Sequence, residues 1–435
     1  MIRSVFKAFR LVFFISLLAG ALASPNVNAT SQSIDVLHVE GIIVPIVADY
    51  IDRGIEQAEN KGSTAVIIQL STPGGLMDTT QRIVERILNA EVPVVVYVSP
   101  AGGWAGSAGA FITLASHVAA MAPGSRIGAA TPVTMGDAEL SEEMKKKITE
   151  DAAAWMRSIA EMRGRDPHHA ELAVREGKSY SVTEALENNL IDLQADSLES
   201  LISQLNGMEV TLTSGEEIVL DTESYALDMN EMTFIERFLH VISNPNIAYI
   251  LLTVGSIGII AEIYNPGAFF PGIIGGISLL LAFYSLSVLD AYWAGIFLIL
   301  LAFGLFIGEV LTTTFGLFTA GGITALVLGS LILFPGEAPL LQVDPWLIAT
   351  VVIIVTALFA FVINRVVGAH RRQAKTGREE LVGKTAIVKQ ALEPEGTVFF
   401  KGERWTAISE KGRVKPGEEV IITRVDGLTL YVTKK

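Results

Sequence analysis

Hydrophobic and polar residues follow different patterns in successive parts of the chain. From residue 34 to about residue 206, short apolar runs alternate with amphipathic segments. The apolar runs cover residues 34–39, 65–70 and 93–98, and the amphipathic segments between them cover 48–60 and 77–89. Strands buried on both faces read as continuous apolar runs, and strands that alternate with helices form parallel sheets. Residues 33–206 are therefore predicted to form an α/β domain with a largely parallel sheet.

A second pattern predicts a bundle of membrane helices. Residues 238–364 contain no Lys or Arg, and they carry five apolar runs of about membrane length. These runs are residues 247–264, 269–288, 293–311, 315–334 and 346–364. An all-α transmembrane bundle of five spans over residues 247–364 is expected. If the segment that begins at Phe269 is re-entrant, the count is four.

The third pattern lies at the C-terminus and predicts a small barrel. Residues 381–435 contain five short strand-like runs separated by turn residues, which favours a five-stranded OB-type β-barrel. The barrel lacks a run of exposed aromatic residues, so a protein partner is favoured over an oligonucleotide. Between the α/β domain and the first span, residues 207–240 are interpreted as a linker or a hairpin that turns at 211–217.

The N-terminus is typical of an export signal. Arg3, Lys7 and Arg10 precede an apolar stretch, and Ala21-Leu22-Ala23 is a small-residue cleavage site. Residues 1–24 are interpreted as a signal peptide, with a retained anchor helix as the alternative. Both readings place the α/β domain outside the cytoplasm.

Charge after the last apolar run orients the other end of the chain. Arg365 is followed by a basic cluster over residues 371–378, which is typical of the cytoplasmic side. The sequence therefore predicts a multi-pass protein of the cell membrane with a cytoplasmic C-terminal barrel.

Composition narrows the possible chemistry. The 435 residues are 50% hydrophobic, with a mean hydropathy of +0.47 and a net charge of −14, which argues against nucleic acid as a partner. The chain has no cysteine, so it has neither disulfides nor a thiolate nucleophile. Its six histidines show no ligand spacing, and no metal or cofactor is expected.

Three short motifs suggest an acyl-transfer site. Gly74 and Gly75 form a glycine turn after an apolar strand, where bare N–H groups can approach a substrate. Ser107 is flanked only by Gly and Ala, which leaves room for a peptide carbonyl. Lys145-Lys146-Lys147 lies near the start of a helix predicted over residues 139–163, and a lysine there is a possible base for the serine. Helical periodicity alone does not choose between Lys145 and Lys147.

The whole arrangement resembles the long form of the NfeD family of membrane-bound serine proteases. The resemblance rests on the runs 71–75, 105–108 and 147–149, and on 402–407 with 425–428 in the barrel. It implies a Clp-protease/crotonase-like spiral of ββα units, a homo-oligomer, and a stomatin- or flotillin-like membrane partner. The lipid bilayer is the other expected partner.

The resemblance also assigns the site residues. It implies a dyad of Ser107 and Lys147, with an oxyanion hole formed by the N–H groups of Gly75 and Ala108. Soluble Clp proteases use a histidine at the position where this chain has Ala130, so a triad is not expected. A lysine amine acts as a base only when it is removed from water, for which a neighbouring subunit or the predicted apolar stripe of its helix is needed.

The expected function is therefore a membrane-bound serine endopeptidase that cleaves extended, apolar peptide segments. The cleft walls are predicted to be small because of Gly102, Gly103, Gly106 and Gly109. Ser116 is a rival nucleophile. A membrane scaffold with an inactive protease domain is the main alternative, and an acyl-CoA enzyme of the same fold is disfavoured because an exported domain meets no CoA.

Overall fold

The computed structural model describes residues 32–133, 141–312, 316–334, 341–370 and 380–435, without the side chains of 366–370. The predicted signal peptide, residues 1–24, lies outside these ranges. The chain divides into two compact units. The first contains the N-terminal domain and most of the apolar helices, and the second contains the C-terminal barrel.

The N-terminal domain is built from eleven strands and seven helices among the described residues. The strands are β1 (Gln32–Glu40), β2 (Ala65–Ser71), β3 (Val94–Val98), β4 (Trp104–Gly106), β5 (Val118–Met121), β6 (Arg126–Gly128), β7 (Ser179–Ser181), β8 (Leu193–Gln194), β9 (Glu209–Thr211), β10 (Glu217–Val219) and β11 (Tyr225–Met229). The helices are α1 (Pro45–Lys61), α2 (Met77–Leu88), α3 (Ala108–Ala115), α4 (Glu142–Met162), α5 (Pro167–Arg175), α6 (Val182–Glu187) and α7 (Leu198–Leu205).

The main sheet has the strand order β11-β1-β2-β3-β5-β8, and every neighbouring pair is parallel. Its central strand β3 is buried along its whole length, as its run of apolar residues predicts. A second small sheet, β4-β6-β7, carries the residues that surround Ser107. These repeated strand and helix units confirm the Clp-protease-like fold that the resemblance implies.

The N-terminal domain extends further along the chain than residue 206. The hairpin of β9 and β10 forms as expected, but Val210 and Leu220 are buried in the core of the domain. β11 pairs with β1 and adds a sixth strand to the edge of the main sheet. The predicted boundary is too early, because the pairing of β11 with a strand some 190 residues earlier leaves no local signal.

The apolar segment forms five helices among the described residues, preceded by a short amphipathic helix, α8 (Phe234–Ile242). The five are α9 (Pro245–Tyr264), α10 (Phe270–Val288), α11 (Trp293–Leu311), α12 (Leu317–Ile332) and α13 (Pro345–His370). By length and composition, four are able to cross a membrane, whereas α12 is shorter, with 16 residues. The segment that begins near Phe269 forms one of the long helices, α10. The five-span count therefore stays a prediction.

Small residues bring these helices close together. A Cβ added to Gly258 of α9 lies 2.8 Å from the Cα of Gly275 in α10, and a Cβ added to Gly329 of α12 lies 2.9 Å from the nitrogen of Ile299 in α11. Lipid tails are as apolar as the side chains, so the hydrophobic effect does not drive membrane helices together. Close backbone approach of this kind stabilises their association through van der Waals contact instead.

The C-terminal unit contains a closed five-stranded barrel, as predicted. Its strands are β12 (Thr385–Gln390), β13 (Glu395–Phe400), β14 (Glu403–Ser409), β15 (Glu419–Asp426) and β16 (Thr429–Lys434), in the order β12-β13-β14-β16-β15. Alternate residues along each strand point inward and form the barrel core.

Candidate active site

Ser107 lies in a sharp turn between β4 and α3. Its backbone has φ 47° and ψ −110°, a conformation that non-glycine residues rarely adopt. The turn is held because the Ser107 N–H donates to the Gly128 carbonyl at 3.2 Å. Such strain on a half-buried serine at the start of a helix is typical of a nucleophile that a strand-to-helix turn presents to a substrate.

The glycine turn after β2 lies against this serine. Gly74 has φ +130°, and a Cβ added to it lies 2.8 Å from the Cβ of Ser107. The Thr72 hydroxyl accepts from the Gly74 N–H at 3.0 Å and lies 3.1 Å from the Gly74 carbonyl, to which it donates. The Gly74 N–H is thus occupied, and Gly74 contributes a close approach to Ser107 rather than a donor.

A loop that the sequence did not single out fixes the same turn from its other side. The Ile43 N–H donates to the Gly74 carbonyl at 2.9 Å, and the Leu76 N–H donates to the Ile43 carbonyl at 3.0 Å. A Cβ on Gly75 lies only 2.1 Å from that Ile43 carbonyl oxygen, so glycine is required there. Backbone contacts between residues some 30 positions apart have no sequence signal.

Two backbone donors remain beside the serine. Within the part of the chain that the structure describes, neither the Gly75 N–H nor the Ala108 N–H has an acceptor. Ala108 is the first residue of α3, where the N–H points out of the helix and the helix dipole is positive. The structure therefore places Gly74 against Ser107, with Gly75 and Ala108 next to them along the chain.

The far end of α3 is anchored by two arginines, the half-buried Arg163 and the buried Arg165. The Arg163 Nε donates to the Ala115 carbonyl at 2.8 Å, and the Arg165 Nη1 donates to the Leu114 carbonyl at 2.7 Å. Arg165 also pairs with Asp192 at 2.7 Å. Positive charge at a helix C-terminus is favourable, so these contacts hold the helix that carries Ser107 in place.

The described hydrogen bonds join no imidazole to Ser107. Ala130, at the position of the Clp histidine, is buried and has no group that can act as a base. The rival nucleophile Ser116 is fully buried, and its hydroxyl donates to the Thr113 carbonyl at 2.7 Å. No group of three or more His, Cys, Asp or Glu able to hold a metal occurs in the described ranges.

The structure does not bring Lys147 to Ser107. Residues 141–147 are all exposed, and no hydrogen bond between Lys147 and Ser107 occurs in the described part of the chain. Lys147 lies in an open surface depression beside Glu143, Glu150 and Asp151. Lys145 is also exposed and pairs with Glu142 at 3.6 Å.

The face that α4 buries overlaps only in part with the apolar stripe that the spacing of Met144, Ile148, Trp155, Ile159 and Met162 predicts. Met144 and Met162 of that stripe are exposed, but its Ile159 is buried, together with Ala152, Ala153 and Met156 outside the stripe. Small side chains let the helix approach the domain closely, and Trp155 then stacks on Phe111 with ring centroids 4.5 Å apart. By helical periodicity Lys147 points away from this buried face.

The predicted cleft walls also need correction. A Cβ on Gly106 lies 2.5 Å from the Trp104 ring, and one on Gly109 lies 2.6 Å from the Thr72 methyl. Gly103 is buried against Pro100, and only Gly102 is exposed to open space. Three of the four glycines therefore permit internal packing rather than line an open groove.

Comparisons with known proteins cover the chain in three parts. Residues 33–223 match the NfeD1b N-terminal domain, residues 246–365 match the NfeD integral membrane domain, and residues 378–434 match the NfeD-like C-terminal, partner-binding domain. The three matches follow the order of the domains in the structure.

Two curated relatives match along almost their whole length. The membrane-bound protease PH1510 of Pyrococcus horikoshii is 36% identical over 424 residues, which cover 95% of this chain and 96% of the relative. The membrane protein NfeD1b of Bacillus subtilis is 28% identical over 457 residues, covering 97% and 96%.

A solved structure is also similar. A variant of the 1510-N membrane-bound stomatin-specific protease, in complex with a substrate peptide, is 32% identical, with a TM-score of 0.46. It covers 49% of this chain and 98% of its own. Because the family matches and the PH1510 relative extend over nearly the whole sequence, this chain belongs to the NfeD family of integral membrane proteins.

Proposed function

We propose that the protein is a membrane-bound serine endopeptidase that cleaves apolar segments of a stomatin-like membrane protein. The observation that carries this proposal is the strained Ser107 turn beside two N–H groups, of Gly75 and Ala108, that have no acceptor in the described structure. A solved relative is called a stomatin-specific protease, which supports the choice of substrate.

In the proposed mechanism, Ser107 Oγ attacks the peptide carbonyl while the neutral amine of Lys147 takes its proton. The Gly75 and Ala108 N–H groups donate to the oxyanion as it forms. The lysine returns the proton to the leaving amine, and the C–N bond breaks to give an acyl-serine. Water then attacks the ester and releases the second product, so no cofactor is needed.

Lys147 is able to act as the base only if its surroundings change from the exposed position described above. We infer that residues 141–147 pack against a second copy of the chain, which removes the Lys147 amine from water. The support is that this first part of α4 is exposed throughout and that its buried face begins only near Ala152. An amine surrounded by solvent stays charged and cannot accept the serine proton.

A fluorophosphonate probe on the purified full chain tests the nucleophile. The probe should label the wild type and not Ser107→Ala, and both Ser107→Ala and Lys147→Ala should lose peptide cleavage. Lys146→Ala is the matched control and should keep most activity. Labelling that persists in Ser107→Ala contradicts the assignment.

Mixing the two inactive variants tests whether the base acts between copies. If Lys147 of one copy serves Ser107 of another, mixed oligomers of Ser107→Ala and Lys147→Ala regain cleavage. If each Lys147 serves its own chain, the mixture stays inactive while each variant still forms oligomers.

The exposed Lys147 also favours a second function, a membrane scaffold whose protease domain is inactive. In that case Ser107→Ala behaves like the wild type in every assay of membrane organisation, and the probe labels neither protein. Both functions use the C-terminal barrel to bind a stomatin-like partner, which the match to a partner-binding domain supports.

We further propose that the N-terminal domain lies outside the cytoplasm and the barrel inside. The basic cluster over residues 371–378 supports this orientation, because positive charge is retained on the cytoplasmic side.

A further inference from the structure

Helix α8 joins the N-terminal domain to the first membrane helix, and one of its faces is bound to the domain. A capping box of Thr233 and Glu236 starts the helix. The Glu236 carboxylate accepts two hydrogen bonds from Arg53 of α1, both at 2.8 Å. One turn later, a ring nitrogen of His240 lies 3.4 Å from the Ile42 carbonyl. These contacts fix the rotation of α8 about its axis.

The opposite face of α8 is apolar and exposed. Its side chains are Phe234 (84% exposed), Ile235 (66%), Phe238 (41%) and Val241 (54%). The rings of Phe234 and Phe238 stack with centroids 6.5 Å apart, so the residues form one continuous surface over two helical turns. A contiguous apolar surface of this kind is costly in water and marks an interaction site.

The ends of the neighbouring helices show that α8 lies at one end of the bundle of apolar helices. α9 begins at Pro245, three residues after α8 ends. Near the end of α10, the Ser285 hydroxyl donates to the Ile242 carbonyl. α8 is therefore attached where one candidate membrane helix starts and the next one ends.

Other helices of the bundle reach the same end. The Tyr292 N–H, just before α11, donates to the Leu333 carbonyl after α12 at 2.9 Å. Before α13, the Asp344 N–H donates to Asn246 Oδ1 at 2.8 Å. Trp293 at the start of α11 and Trp346 in the first turn of α13 are exposed here, and tryptophan concentrates at the membrane–water boundary.

We propose that α8 is an interfacial helix and that its exposed apolar face contacts the lipid bilayer. The face formed by Phe234, Ile235, Phe238 and Val241 lies among the lipid headgroups and the first acyl carbons, as amphipathic helices with a strong apolar face do. The bilayer is favoured over a protein partner because α8 leads directly into the start of α9, a candidate membrane helix.

This contact has a consequence for the active site, which rests on the proposed function. His240 lies against the Gly41–Ile42 loop, and the next residue, Ile43, holds the turn that carries Gly75. The lipid contact therefore keeps the Ser107 site close to the membrane surface. Substrates are then limited to segments that lie next to a bilayer.

Site-directed fluorescence on the full chain in liposomes tests the lipid contact. The chain has no natural cysteine, so Phe234→Cys and Phe238→Cys each carry one bimane label without further changes. Val219→Cys is the matched control, because Val219 is an exposed apolar residue of the β9–β10 hairpin. Lipids with a doxyl group on the upper acyl chain and aqueous iodide serve as quenchers.

Labels at 234 and 238 should be quenched at least twofold more by doxyl lipid than the Val219 label, and less by iodide. Equal iodide quenching at all three positions would show a face in water and overturn the proposal. Shielding from both quenchers would show a face covered by protein, which also overturns it. Because the readout does not depend on peptide cleavage, an inactive protease leaves the result interpretable.

Discussion

Protonation of His117 should destabilise the N-terminal domain. The Val94 N–H donates to the Nδ1 atom of this histidine at 3.1 Å, so Nδ1 has no place for a proton. The Nε2 atom is shielded from water and has no partner in the described structure. Burial, together with the positive charges of Arg163 and Arg165, lowers the pKa of His117 to about 3. Asp192, the nearby carboxylate, is already paired with Arg165.

The direction of the pH effect on stability follows from the protonation of His117 in the unfolded and folded chain. Unfolded, His117 binds a proton near its ordinary pKa of 6.5, whereas folded it does not do so until about pH 3. The free energy of unfolding therefore falls as pH drops below about 6.5, by at most ~1.4 kcal/mol per pH unit. Between pH 7 and pH 5 the loss is about 2 kcal/mol, or ~1 M in a urea midpoint.

His117→Asn isolates this effect, because the asparagine oxygen is able to accept from the Val94 N–H and does not titrate. Urea unfolding of the detergent-solubilised full chain, read by pulse proteolysis of the N-terminal domain, gives the midpoint at each pH. The wild-type midpoint should fall between pH 7 and pH 5 by ~1 M more than that of the variant. Carboxylates that titrate in this range affect both proteins equally.

Parallel pH dependences of the two proteins would refute the reasoning. They would mean that the ring accepts a proton in the folded state without cost, and hence that water reaches it. A lower midpoint of the variant at every pH, by a constant amount, would reflect packing alone and would leave the electrostatic argument without support.

Three further predictions concern the site and the membrane. Gly74→Ala should reduce peptide cleavage at least ~100-fold, because its Cβ collides with Ser107. Gly62→Ala, also at a positive φ (+68° against +130° for Gly74) but with open space around its Cβ, should leave cleavage unchanged in the same assay. A reporter active only outside the cytoplasm should work when fused after Leu205 and fail after Lys435, and activity at both points would indicate an even number of spans. Combined Phe234→Ser and Phe238→Ser should slow cleavage of a liposome-anchored peptide at least ~10-fold, and an equal loss with a soluble peptide would contradict the role of α8.

The domain architecture and the local parts of the site were predictable from the pattern of amino acids. The strand β3 is buried on both faces, and its residues are apolar without interruption. The barrel strands alternate inward and outward, as their sequence does. Ser107 has neighbours small enough for a tight turn. In each case the local structure depends on a residue and its near neighbours in the chain, so the local sequence pattern predicts it.

The contacts between distant segments, in contrast, became visible only in the folded domain. Ile43 fixes the Gly75 turn through backbone groups that every residue possesses. β11 joins the sheet beside β1, and α4 buries a face centred on Ala152, Ala153 and Met156 that overlaps the predicted stripe only in part. The exposed position of Lys147 follows from that choice of face. Pairing and packing across long separations depend on the shape of both surfaces, and the periodicity of one segment specifies only one of them.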